Sequence, residues 1–148
     1  MIIRPAKPGD YDELAQIWLE SWYSTDLKSL FDPGLEMLRK RIPEEIAKGW
    51  DLYAAEEDGE LVALLALNPS DFYLDQLWVA PSHQGRGIGR KLLDFTRAKF
   101  PDEIWLRCVV ENARAWAWYE REGFQFEGEE NVPPSNMRMR RYRWTRSR

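Results

Sequence analysis

Apolar residues along the 148-residue chain follow two alternating rhythms. Ile2 to Pro5 reads as a short first strand. After the turn Lys7-Pro8-Gly9-Asp10, residues Tyr11, Leu14, Ile17, Trp18 and Trp22 recur at the spacing of a helix with one buried face. Ser24 to Pro33 is a loop. A weaker helical stretch runs from Leu35 to Lys48, and Pro43, which has no N–H and crowds the preceding turn, should break or restart it. Leu52 to Glu57 and Leu61 to Asn68 read as strands joined by Asp58-Gly59, a dipeptide suited to a tight hairpin turn. The pattern continues with a central strand (Asp71 to Val79), a helix (Gly87 to Phe100), a strand (Ile104 to Val110) and a helix (Asn112 to Glu122) that Gly123 ends. Phe124 to Glu129 and Met137 to Trp144 are the last strands. In the final one the apolar parity changes from 137 and 139 to 142 and 144, which predicts a bulge between them. The order predicts a single α/β domain over residues 1–148, with a mixed, mostly antiparallel sheet flanked by helices.

Composition narrows the class. Hydrophobic residues make up 44% and charged residues 31%, a soluble globular balance. No apolar run approaches the roughly 18 residues of a membrane span. The first residues carry no charged-then-apolar leader, so the expected compartment is the cytoplasm, and the expected assembly is a monomer or homodimer. The one cysteine, Cys108, excludes an internal disulfide and reads as inert core. The lone His83 has no Cys or His partners, so no metal site is expected.

Charge is unevenly placed. The net charge is −4, yet residues 138–148 hold six arginines and no acid, which leaves the rest at −10. Such a tail is either a nucleic-acid contact or a terminal strand with solvated arginines and a frayed end. The acidic body repels phosphate backbones and favours cationic acceptors such as amines.

The sharpest signal is the stretch from Leu74 to Gly89. An apolar strand (Leu74, Leu77, Trp78, Val79) stops at Pro81, a glycine turn follows (Gln84-Gly85-Arg86-Gly87-Ile88-Gly89), and an amphipathic helix begins. The first turn of a helix has N–H groups without partners and partial positive charge, and glycines let an anion approach, so this is a phosphate site. Arg86 and Arg90 add formal charge. A P-loop would need Gly-Lys where Arg90-Lys91 stands. A dinucleotide fingerprint would need glycine at 90 and an acid about 20 residues on, where Arg107 stands. The arrangement Val79-x-Pro81 followed by Gln84-x-x-Gly87-x-Gly89 resembles the acetyl-CoA loop of the GNAT superfamily of N-acetyltransferases. A second motif appears downstream, where Asn112-Ala113-Arg114-Ala115-Trp116-Ala117-Trp118-Tyr119 resembles the family's Asn-x-x-Ala-x-x-aromatic-Tyr helix, closed by Glu122-Gly123-Phe124. The resemblance covers about residues 2–144 and is specific from 74 to 128.

The resemblance implies an acetyl-CoA-dependent N-acetyltransferase in which an acceptor amine attacks the thioester directly. It places the pyrophosphate on the backbone of Gln84, Gly85, Arg86, Gly87, Ile88, Gly89 and Arg90. It lays the pantetheine arm along Leu77, Trp78 and Val79 as an added strand, which requires the central strand to splay from its neighbour after about residue 79. A backbone N–H near Trp78 or Val79 would polarise the carbonyl. Tyr119 matches the acid that protonates the leaving thiolate, and Asn112, two turns earlier on the same helix face, the partner of the pantetheine amides, or simply the helix N-cap. The base is open. Asp75 shares strand parity with Leu77 and Val79 and could face the cleft. The glutamate that some members carry on the strand before the Asn helix is replaced by Arg107. Trp22, Tyr23, Asp26 and Phe31, from the first helix and the loop after it, are candidate acceptor contacts, whereas Trp18 reads as core.

Three functions compete. The first is catalytic acetylation of a small-molecule or peptide amine. The second is a non-catalytic acyl-CoA-binding regulatory domain, which the presence of Tyr119 disfavours. The third is nucleic-acid binding through the arginine tail, which the acidic body disfavours.

Overall fold

A computed structural model describes residues 1–133 and 136–146. Among these the chain runs β1 (Ile2–Pro5), α1 (Tyr11–Tyr23), α2 (Leu35–Ala47), β2 (Asp51–Glu57), β3 (Glu60–Asn68), β4 (Tyr73–Val79), α3 (Ile88–Lys99), β5 (Glu103–Val109), α4 (Ala113–Arg121), β6 (Gln125–Val132) and β7 (Met137–Thr145). The strands form one seven-stranded sheet in the order β1-β2-β3-β4-β5-β7-β6. Every pairing is antiparallel except β4 with β5.

Each face of the sheet has its own core. Leu64 and Ala66 of β3 pack with Leu14, Ile17 and Trp18 of α1 and with Leu38 and Ile42 of α2. Their neighbours Ala63, Leu65 and Leu67 pack with Ile88, Leu92 and Leu93 of α3 on the other face. Alternate side chains of a strand point to opposite faces, so a strand covered on both sides needs the unbroken apolar run that β3 shows. Each fully buried leucine contributes about 1.5–3 kcal/mol. None of the described helices is long and apolar enough to cross a membrane.

Two expectations drawn from sequence pattern are corrected. Pro43 does not break the second helix, and α2 runs through it from Leu35 to Ala47. The missing N–H costs one bond, while Leu38 and Ile42 before it and Ile46 after it pack into the core that α1 shares. Nor is there a bulge in β7, whose register against β5 is unbroken from Met139 to Thr145. The irregularity lies across the ladder in β6, where Glu127 is extra between Phe126 and Gly128. The parity of β7 changes because its two ends serve different faces. Tyr142 and Trp144 pack beneath α3 and α4, whereas Met137 and Met139 line a cleft on the other side.

The arginines of β7 are matched by acids on neighbouring elements. Arg138 meets Glu129 at 2.7 Å, Arg141 meets Glu127 at 3.2 Å, and Arg143 meets Glu103 at 2.6 Å and Glu127 at 2.9 Å. This is the terminal-strand reading of the basic segment, with paired rather than solvated arginines. Ser147 and Arg148 lie outside the described residues.

The structure predicts that Pro43→Ala stabilises the protein by about 1 kcal/mol or more, because an interior proline costs up to about 3 kcal/mol against alanine. Urea unfolding checks this, and an unchanged or lower midpoint would show that α2 carries no strain there.

Candidate acetyl-transfer site

The site begins with one extra residue. Between β3 and β4 the register passes from Ala66↔Gln76 to Leu67↔Leu74, so Asp75 has no partner across the ladder. β4 pairs with β5 only at Tyr73↔Trp105 and Leu74↔Leu106. The two strands therefore part at Leu74, five residues before the expected splay at 79. From Gln76 to Val79, β4 keeps β3 on one side and has no described strand on the other. The bulge also corrects the parity of Asp75. Leu77 and Val79 pack toward α3. Asp75 instead turns to the opposite face, where its Oδ2 accepts from Trp50 Nε1 at 2.7 Å.

Where β4 and β5 part, a cleft of about 620 Å³ opens through the sheet. Trp18, Trp22 and Phe31 line it from one face, and Asn112 and Tyr119 line it from the other. Asp75, Gln76, Leu77 and Trp78 form the β4 wall. A chain of hydrogen bonds orders that wall. Trp78 Nε1 donates to Gln76 Oε1 at 2.7 Å, and Gln76 Nε2 donates to Asp75 Oδ1 at 3.1 Å. Trp22 packs edge-on against Trp78 with ring centroids 6.2 Å apart, and its Nε1 donates to the Phe31 carbonyl at 2.7 Å.

Of the expected acceptor contacts, Trp22 and Phe31 reach the cleft, whereas Tyr23 and Asp26 are not among its lining residues. The Tyr23 hydroxyl donates to Asp32 at 2.7 Å, and Asp26 occupies a turn with φ 63°. Trp18, read as core, is buried and also lines the cleft. Sequence pattern missed Arg41, Trp50 and Tyr73, and it noted Arg107 only as a missing acid. Arg41 sits one turn beyond Leu38 on an apolar-stripe face, a weak signal. Trp50 and Tyr73 carried none.

Tyr119 is buried, with its ring against Trp118 and Phe124. Burial pushes its phenol well above the usual value, and Cys108 adds to the shift. Burial thus favours the protonated phenol. Asn112 is the N-cap residue of α4, yet its side chain makes no capping bond. Asn112 is one of the residues that line the cleft.

The glycine turn lies outside the lining of this cleft but abuts α4. A Cβ added to Gly89 would meet the Trp118 ring at 3.6 Å. Gly85 and Gly87 have φ of 80° and 81°, which glycine adopts without strain. Gly87 caps α3, and the first bond inside the helix is Lys91 N–H to the Gly87 carbonyl at 3.1 Å. The N–H groups of Ile88, Gly89 and Arg90 precede that bond and face outward along the axis. The Gln84 side chain donates to the Val79 carbonyl at 3.1 Å, tying the turn to the open strand. The N–H groups at the turn suit an anion, and β4 has no described strand beside Gln76 to Val79, although the Val79 carbonyl already accepts from Ser21 Oγ at 2.8 Å as well as from Gln84.

The Acetyltransferase (GNAT) family model matches residues 11–124. The chain belongs to the GNAT acetyltransferase family. It is similar to a "Probable N-acetyltransferase" of Mycobacterium tuberculosis, 28% identical over 145 residues, covering 85% of this chain and 80% of that one. It is 27% identical over 125 residues to the peptidyl-lysine N-acetyltransferase YiaC of Escherichia coli, covering 83% of this chain and 82% of that one. The solution structure of apo YjaB from Escherichia coli shares the fold, with a TM-score of 0.75 and 21% identity over 99% of this chain and 100% of that one. This GNAT protein is thus an acetyl-CoA-dependent acetyltransferase, with acetyl-CoA as cosubstrate.

Burial pushes the Cys108 thiol up to about 12 and the Tyr73 phenol to about 12. Unfolded, these groups lose their protons near pH 8.5 and 10. Above those values the unfolded chain sheds protons that the folded acetyltransferase retains, so stability falls as pH rises from about 8.5 toward 12. Cys108→Ala should flatten the part of the decline between pH 8.5 and 10 in urea midpoints. An unchanged slope there would show that the thiol is not held protonated.

Proposed function

We propose that this acetyltransferase moves the acetyl group from acetyl-CoA to a primary amine of a small molecule or peptide by direct attack on the thioester. The observation that carries the reading is the cleft itself, where Asp75 and Tyr119 line one passage from opposite sides of the sheet. Acetyl-CoA supplies the activated acyl group. Gln84 to Arg90 hold its phosphates at the start of α3, and the open edge of Leu77, Trp78 and Val79 aligns its arm. A backbone N–H of Trp78 or Val79 faces the developing oxyanion. Asp75, its carboxylate set by Trp50 and Gln76, takes the proton from the ammonium directly or through one water. As the C–N bond forms and the C–S bond breaks, Tyr119 gives its proton to the departing sulfur. Asn112 positions the arm. Trp22 and Phe31 wall the acceptor. Tyr23 and Asp26 act from the loop margin, outside the cleft lining.

Binding without catalysis would need only the glycine turn and the open edge. A buried, protonated phenol across the cleft from an ordered carboxylate supports the enzyme reading over the regulatory one.

Tyr119→Phe is expected to lower kcat by roughly 100-fold or more while the acetyl-CoA KM changes little, because only the proton donor is removed. Full turnover with the best acceptor, where chemistry limits the rate, would assign Tyr119 a packing role. Gly87→Val separates binding from chemistry. Nothing lies within 4 Å of where its Cβ would project, so the cost in the free protein is confined to the positive φ. The protein should fold, yet calorimetry should show acetyl-CoA affinity reduced at least tenfold. Undiminished affinity would move the phosphate site elsewhere.

A further inference from the structure

The cleft is not acidic, although the chain is. Asp75, Glu44 and Glu45 line it, but so do Lys40, Arg41, Lys48 and Arg107. The two arginines differ from the lysines in how they are held. Arg41 lies over the rings of Trp18 and Trp50, 5.2 Å and 5.8 Å from their centroids. Glu44 and Glu45 stand three and four residues further along the same helix, the spacing at which ion pairs form. Among the described residues Arg41 nevertheless makes no salt bridge within 4.0 Å, though exposed neighbours such as Arg39 make two. Arg107 lies over the Tyr73 and Trp105 rings at 5.2 Å and 5.5 Å, and its Nε donates to the Tyr73 hydroxyl at 3.1 Å. Arg107 does have an ion pair, with Glu130 at 3.7 Å from Nη1, too long to be a hydrogen bond. Both guanidinium groups act electrostatically on the same Tyr73 hydroxyl, as does Asp75.

We propose that the acceptor is an amine that also carries a carboxylate, a free amino acid or a close analogue, and that Arg41 and Arg107 receive that carboxylate. The inference rests on the acetyltransferase reading above and names its substrate class. Arg41 over two indoles, and Arg107 over a phenol and an indole, are fixed in orientation, so little side-chain entropy remains to be lost when an anion binds. Planar forks of N–H donors match a carboxylate, which lysine does not do as well. Asp75 beside them gives the cleft the opposite charge that the ammonium of the same zwitterion requires. A polyamine would place its second cation against these arginines and be repelled.

The test compares the standard amino acids, their carboxamides and spermidine as acceptors in a CoA-release assay with the full chain. At least one amino acid should be acetylated with a kcat/KM roughly tenfold or more above its carboxamide, the scale of a charge-assisted hydrogen bond. Arg41→Gln and Arg107→Gln should each cut that preference about tenfold by raising the KM for the amino acid. Melting temperature and acetyl-CoA KM serve as folding controls. Because Arg107 also holds Tyr73, Arg41→Gln is the cleaner variant. Equal turnover of acid and amide, preference for spermidine, or a preference that survives both substitutions would overturn the proposal while leaving an acetyltransferase. Acetylation of no amine at all would overturn it together with the reading it rests on.

Discussion

One unpaired residue in the sheet sets the conditions for everything else. Asp75 has no partner opposite it on β3, and immediately before it β4 ends its pairing with β5. A sheet that stayed closed there would bury the β4 main chain in a ladder and leave no passage between the two faces. Opened at Leu74, the same strand has no described strand along one edge, and its side chains reach both cores. Bulges bend a strand and end pairing where a site is needed. Here the bulge also rotates a carboxylate out of the α3 face and into hydrogen-bond reach of Trp50.

The walls of the opening are stiff for a specific reason. Trp18 and Trp22 of α1 and Trp78 of β4 line it, Trp50, just before β2, backs Asp75, and each is tied by a ring contact or an indole N–H bond. Large flat side chains with one donor can fill a boundary between core and solvent while satisfying their polar atom. They present firm surfaces on which Arg41 rests. On the far side of the cleft the β6–β7 ladder is laced by arginine–glutamate pairs. These exposed or half-exposed pairs add little stability singly. Their clearer consequence is that the basic segment has its counter-charges within the fold.

The sequence carried the fold because its signals were local. Helical spacing in α1 and α3, the Asp58-Gly59 turn and the unbroken apolar run of β3 each depend on neighbours a few residues away. The glycine turn was legible for the same reason: its positive-φ glycines and the helix start after it lie in one short segment. Asn112 and Tyr119 were singled out together by a resemblance to the family's helix motif, and both line the cleft. Reading failed where the decisive partner was distant. The parity change in β7 looked like a bulge because the strand alone does not show that Met139 and Tyr142 serve different cores.

Local order along this chain therefore determined the element sequence, the glycine turn before α3 and the family to which it belongs. Tertiary structure alone decided where the sheet opens, which way Asp75 points, and that Arg41 and Arg107 share a cleft with it. Those facts depend on register between strands and on packing between residues tens of positions apart, such as Trp50 with Asp75 and Arg107 with Tyr73. A period of two or of 3.6 residues encodes which face a side chain takes relative to its own strand or helix. It encodes nothing about a residue left out of the ladder, because that depends on the partner strand.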